Sequence, residues 1–204
     1  QTRVNALSIT NEITGEINGG NTQLTAAGLV TNRGLIDGHD THVDAYEVHN
    51  LGSGRIFGDR VSIQAQTLLN DREATPEGLK SASLMSRGDM HLGVQNIINR
   101  DGSLIYTGGD LKIGGHLDAN RQAIGRANTL YNASAQIDVQ GNLDAKLATL
   151  HNANLDFATA MHQTGVEQGI VRLVYEGQEL DETQYSTNFG ALHQFNGDRS
   201  SWRV

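Results

Sequence analysis

Residues 130–152 read LYNASAQIDVQGNLDAKLATLHN. The stretch opens on Leu130-Tyr131-Asn132 and closes on Leu150-His151-Asn152, the same apolar-x-Asn triplet 20 residues later. Working outward, the triplet recurs at Ile9-Thr10-Asn11, Val30-Thr31-Asn32, Val48-His49-Asn50, Leu68-Leu69-Asn70 and Ile97-Ile98-Asn99. The Asn-to-Asn spacings are 21, 18, 20, 29, 33 and 20. Each of the two long intervals holds a candidate insertion. One is DREATPEGLKS, residues 71–81, which contains the single Pro; the other is HLDANRQAIGRAN, residues 116–128. Both are expected to leave the repeat as surface loops or short helices.

A second landmark falls inside the units. Gly58-Asp59, Gly88-Asp89, Gly109-Asp110 and Gly141-Asn142 each precede a short alternating run. An isolated Ile or Leu stands before each turn or its equivalent: Ile36, Ile56, Leu84, Ile105 and Ile137. A period near 20 with period-2 alternation predicts a solenoid of strands. Leucine-rich repeats share that length, but these units have too few Leu and no helical half. The expected fold is therefore all-β, a right-handed parallel β-helix with coils of about 20 residues. A coil buries no core alone; its inward aliphatic residues are covered by the coils above and below. Roughly eight coils at about 4.8 Å each would make a rod segment of about 35–40 Å. The seven asparagines, Asn11, Asn32, Asn50, Asn70, Asn99, Asn132 and Asn152, are expected to stack as a ladder of side-chain amides at one corner. The glycines are expected to supply positive φ at the corners.

Composition narrows the function. The formal charge is −8 over 204 residues, with no Lys/Arg-rich run, which argues against nucleic acid and polybasic membrane binding. No apolar run approaches the length of a bilayer span. Cysteine is absent, which removes disulfides and thiolate metal sites. The chain begins Gln1-Thr2-Arg3, with neither Met nor a leader, so a piece of a longer protein is expected.

Candidate chemistry is sparse. In GHDTHVD, residues 38–44, His39 and His42 lie close to Asp40 and Asp44, but on a strand the two imidazoles face opposite ways and no third is placed to complete a metal site. His49 and His151 precede a recurring Asn and are expected to face outward. The Gly-Asp turns lack the G-G-x-G-x-D-x-U-x calcium repeat. No G-x-S-x-G, H-E-x-x-H or P-loop occurs. Asp181-Glu182 reads as a solvated turn. Neither a catalytic residue, a metal nor a cofactor is expected, and the chain is read as no enzyme. A carbohydrate-active β-helix enzyme is the rival, since such enzymes gather acids and bases on one outer sheet.

VTNRGLIDG, VHNLGSGRIFGD, IINRDGSLIYTGGDLKI and LYNASAQIDVQGNLDA resemble the filamentous haemagglutinin-type repeats of two-partner secreted exoproteins. Such repeats also build the shafts of contact-dependent growth inhibition effectors (the CdiA type). The resemblance covers about residues 5–156 and is specific for the superfamily rather than for one member. It implies a right-handed β-helical shaft on a very large protein, secreted to the surface of a Gram-negative bacterium through an outer-membrane transporter. In the inhibition effectors a receptor-binding region follows the first repeats and a toxin lies at the C-terminus. The implied partners are that transporter and an outer-membrane receptor on a target bacterium. In the alternative, a filamentous haemagglutinin-type adhesin, the partner is a host surface. The fragment itself is expected to be monomeric.

The repeat ends at Asn152, so the domains are read as 1–156 and 157–204. Phe157, Tyr175, Tyr185, Phe189, Phe195 and Trp202 crowd the last 48 residues, against four aromatics before them. IVRLVYEGQELDETQYS, residues 170–186, reads as strand, turn and second strand. It resembles a V-x-Y-E-G run that opens the receptor-binding region of those effectors. Tyr185, Phe189, Phe195 and Trp202 are the receptor-binding candidates, since Tyr and Trp dominate binding hot spots. Aromatic side chains would equally suit a cap over the open end of the solenoid, for which Phe157 and the strand from Ile170 to Tyr175 are the nearest apolar groups. A segment left without its fold by truncation is the third reading.

Overall fold

The computed structural model describes residues 1–156 throughout and four short strands after them. Two compact units divide the chain, Gln1–Asp156 and Phe157–Val204. The described residues are strands and turns, with no helix among them, and hence none able to cross a membrane.

The first unit runs β1 (Thr2–Ala6), β2 (Ile9–Asn11), β3 (Glu16–Asn32), β4 (Leu35–Leu51), β5 (Arg55–Gly58) and β6 (Arg60–Thr75). It continues with β7 (Gly78–Ser81), β8 (Ser83–Ser86), β9 (Met90–Arg100), β10 (Leu104–Thr107) and β11 (Leu111–Gly114). Then come β12 (His116–Leu117), β13 (Ala123–Ile124), β14 (Ala127–Ala133), β15 (Gln136–Val139), β16 (Leu143–Ala145) and β17 (Leu147–Ala153). All but the two hairpin excursions join one parallel sheet with the order β15-β10-β8-β5-β4-β6-β9-β11-β16, extended by β1, β2, β3, β14 and β17. Consecutive parallel strands need long connections, and here the rest of each repeat supplies them. The arrangement is consistent with a parallel β-helix.

Register explains the repeat. Ile9 pairs with Val30, Val30 with Val48, Val48 with Leu68, Leu68 with Ile97, Ile97 with Leu130 and Leu130 with Leu150. The isolated aliphatics form a second column, Ile17–Ile36–Ile56–Leu84–Ile105–Ile137. A third runs Val4–Leu24–Val43–Ile63–Leu92–Ile113–Ala145. The first and third columns are seven rungs deep, against an expectation of about eight. Along a strand, alternate residues share a face. That is why the triplet is apolar-x-Asn: Ile9 and Asn11 are buried while Thr10 between them is exposed. Each fully buried Leu or Ile contributes about 1.5–3 kcal/mol. Ile36, Ile56, Leu84 and Ile105 are completely buried between neighbours, whereas Ile137, on the last rung of its column, is only partly buried.

Both insertions differ from the expected loops or helices. Each is a short antiparallel hairpin. In the first, Arg72 to Thr75 of β6 pairs with β7, with Pro76 in the turn. It is tied back by Arg33, which chelates Glu73 with two bonds of 2.6 and 2.8 Å, and by Arg100, which donates to Asp71 at 2.8 Å. In the second, β12 pairs with β13. It ends earlier than 128, because Ala127 is already back in the sheet opposite Leu147 and is fully buried.

The glycines also differ from expectation. Among the described residues only Gly52, Gly78, Gly102 and Gly125 are glycines with positive φ, while Thr14, Asp101, Arg121 and Ser134 take the same conformation without being glycine. Close approach explains others better. A Cβ on Gly54 would lie 2.6 Å from Asn50 Oδ1, because the turn passes directly over the ladder amide.

In the second unit the segment read as strand–turn–strand holds β18 (Leu173–Tyr175) antiparallel to β19 (Gln178–Leu180). A further antiparallel pair follows, β20 (Tyr185–Asn188) with β21 (Ala191–Gln194).

Candidate functional site

The asparagine column is continuous. Asn11 Nδ2 donates to Asn32 Oδ1, Asn32 to Asn50, Asn50 to Asn70, Asn70 to Asn99 and Asn99 to Asn132, all at 2.8 Å. Asn132 donates to Asn152 at 2.7 Å. Every donor points toward the C-terminal neighbour, so the amide dipoles align and polarise one another. The second amide hydrogen is also used. Asn50 donates it to Ser83 O, Asn70 to Leu104 O and Asn99 to Gln136 O, at 3.0 to 3.1 Å. Ser83, Leu104 and Gln136 are the first residues of β8, β10 and β15. Each of these asparagines therefore ties the end of a long strand to the short strand one rung further along the stack, inside the core where water cannot substitute. Asn32, Asn50, Asn70 and Asn99 have no exposed surface.

The Gly-Asp turns form a second column, at the surface. Asp89 Oδ1 accepts from Asp110 N at 2.9 Å, and Asp110 Oδ1 accepts from Asn142 N at 2.8 Å. Bonding to the Asn142 amide holds the Asp110 carboxyl below its ordinary range. His39 Nδ1 and Arg87 both meet Asp59, at 2.6 and 2.8 Å, and lower its pKa in that order of effect. Among the described residues no group of three His, Cys, Asp or Glu is placed to hold a metal. His39 and His42 part company as their spacing requires: His39 is exposed, while His42 is buried against Ser62, Nδ1 to Oγ 2.9 Å. No carboxylate bonds His42 Nε2 among the described residues, so nothing orients that imidazole as a base for Ser62. His49 lies within 3.2 Å of Glu47, and His151 is exposed.

One polar cluster escapes a residue-by-residue reading. Gln23, His42, Ser62 and His91 are register partners on the outer face of β3, β4, β6 and β9. The β12–β13 hairpin lies across them. Leu117 N donates to Gln64 Oε1 at 2.6 Å, Ala123 N to His91 Nδ1 at 3.4 Å, and Arg121 to Gln23 Oε1 at 3.3 Å. Gly93 makes room for the hairpin, since a Cβ there would lie 2.5 Å from the His116 carbonyl carbon. Burial beneath it lowers the pKa of His42, helped by Arg121, and that of His91, helped by Lys112. The sequence signal was the offset that aligns the asparagines: Asn50 to Asn70 is 20 residues, and so is His42 to Ser62.

Of the receptor-binding candidates, Tyr185 is placed only as a strand position opposite Gln194. Phe189, Phe195 and Trp202 lie outside the described residues, as does Phe157. Comparison with family models, curated proteins and solved structures gives no match.

Proposed function

We propose that residues 1–156 form a right-handed parallel β-helix with coils of about 20 residues and act as a non-enzymatic shaft segment. The parent is a large exoprotein secreted to the surface of a Gram-negative bacterium through a two-partner outer-membrane transporter. The shaft holds a receptor-binding region, and a distal toxin for contact-dependent growth inhibition, away from the producing cell. The observation that supports this is the unbroken ladder from Asn11 to Asn152 beside the aliphatic columns. A polymer of such rungs is stiff, because each coil is paired to both neighbours along its length, and its reach grows linearly with coil number. The resemblance of the repeats to filamentous haemagglutinin-type units supports the secreted setting. The segment 157–204 then begins the region that meets a receptor, with Tyr185, Phe189, Phe195 and Trp202 as its contacts.

The test is made in the parent exoprotein. Tyr185→Ala and Trp202→Ala should reduce binding to target bacteria while surface display is unchanged. Removing whole coils should shorten the reach and leave secretion intact. Turnover of a glycan by the purified chain, lost on changing one acidic side chain, would replace the shaft reading with an enzymatic one.

A further inference from the structure

The β12–β13 hairpin roofs a cleft of about 170 Å³ on the outer face of β3, β4 and β6. A dry cavity of about 150 Å³ takes one benzene-sized molecule, so the space suits a single-ring ligand. Three arginines line it, Arg3 from β1, Arg60 from β6 and Arg121 from the hairpin tip, with Asp40 as the carboxylate residue. Such a concentration of positive charge stands out in a chain of net charge −8.

The four groups are not equally committed. Arg60 Nε and a terminal nitrogen both bond Asp40 Oδ1, at 2.7 and 2.6 Å, which leaves Asp40 Oδ2 free as an acceptor. Arg3 is held by its backbone in the β1–β3 ladder, and its side chain has no hydrogen-bond or ion-pair partner among the described residues. Arg121 makes one side-chain bond, to Gln23. The position of Arg121 is built. Asp118 Oδ1 accepts from Asn120 N and Gln122 N at 2.8 Å each, and Asp118 O accepts from Arg121 N at 2.9 Å. Arg121 itself has φ of 61°, a costly conformation for a side chain of its size. On the floor, His91 accepts from the hairpin backbone through Nδ1, so in the neutral ring the proton sits on Nε2 as a further donor.

We propose that this cleft binds a hydroxylated monocarboxylate, the chemistry of a sugar acid. The forks of Arg121 and Arg3 match a carboxylate in two-bond geometry. Asp40 Oδ2 repels a second negative charge but accepts from a hydroxyl. Sulfate has no hydroxyl hydrogen to donate to Asp40 Oδ2, and a neutral sugar brings no anion to Arg121 and Arg3. The site is separate from the shaft reading and stands whether or not that reading holds.

Titration of the full chain with D-glucuronate, followed by amide and imidazole chemical shifts, tests this. Saturable binding is expected, with the shifts centred on residues 118–123, Ser62 and His91. D-glucose should not bind, and inorganic sulfate should bind more weakly. Arg121→Gln and Arg3→Gln should each weaken glucuronate by about tenfold or more. Arg3 lies outside the hairpin, so its variant separates loss of a contact from loss of the hairpin. Arg87→Gln, away from the cleft, should change nothing. Asp40→Asn should improve sulfate. Failure of glucuronate to saturate, or binding indifferent to both arginine variants, would overturn the site. Sulfate binding as tightly as glucuronate would overturn the monocarboxylate assignment.

Discussion

Asn50 has every side-chain polar group engaged inside the core. Its oxygen accepts from Asn32, and its nitrogen donates to Asn70 and to Ser83 O. Asn50→Ala strands groups on three neighbours, and an unsatisfied buried group costs about 1–3 kcal/mol. We expect a loss of about 3 kcal/mol in urea denaturation, whereas Asn152→Ala, at the exposed end of the ladder, should change stability by under about 0.5 kcal/mol. The aliphatic column gives a parallel contrast. Ile105 is fully buried between Leu84 and Ile137, so Ile105→Ala should cost about 2–5 kcal/mol. Ile137→Ala, on the last rung, should cost clearly less. Equal losses at the two positions would mean that the last rung is covered as fully as the middle.

Titration of single side chains has two windows. His42 and His91 are held below the ordinary imidazole value of 6.5 by burial, so the unfolded chain binds more protons than the folded one as pH falls below that value. Stability is therefore full above about pH 6.5 and declines from there down to the lowered folded values. The double variant His42→Gln, His91→Gln should flatten the melting temperature between pH 7.5 and 5.5, both values being set about the ordinary imidazole pKa. Glu73 is lowered chiefly by its bond from Arg33, and Asp59 and Asp110 are lowered as well. Their stabilisation is present above the ordinary carboxylate range and is lost at lower pH, below about pH 4, as each falls through its lowered value. A loss seen only in that acid window would show that the buried imidazoles contribute nothing.

The strands were legible because two inward residues flank one outward residue in every triplet, and that pattern survives insertions. The hairpins were not. DREATPEGLKS is charged and carries Pro76, which reads as a loop, yet the hairpin is tied down through its first strand by contacts distant in sequence. Glu73 meets Arg33 across 40 residues and Arg121 meets Gln23 across 98. No local pattern records such partners, and the cleft was invisible for the same reason. The glycine reading went astray differently: sequence cannot tell a glycine needed for φ from one needed for close approach. Gly54→Ala brings a methyl to 2.6 Å from Asn50 Oδ1, and turn and ladder must both shift. We expect a loss of more than about 2 kcal/mol, well beyond the usual helix- or strand-interior glycine effect of about 0.5–1 kcal/mol in the opposite sense. Gly20, whose added Cβ meets nothing within 4 Å, is the control and should tolerate Ala.

For the whole of the first unit, Gln1–Asp156, stacking makes length a modular property. Asn32 and Asn50 occupy equivalent rungs, and residues 33–50 carry the chain from one to the other. Tandem copies of that segment should therefore lengthen the rod without disturbing either end. Far-ultraviolet circular dichroism should remain a β spectrum, and a helical spectrum would be incompatible with the strands described. The direct measurement is small-angle X-ray scattering on the full chain with three extra copies of residues 33–50 inserted after Asn50. Stacked coils predict an unchanged cross-section and a maximum dimension greater by about 14 Å, at about 4.8 Å per coil. An increase in cross-section with no gain in length, or a collapsed and uncooperatively unfolding protein, would contradict the stacking of these repeats into a shaft.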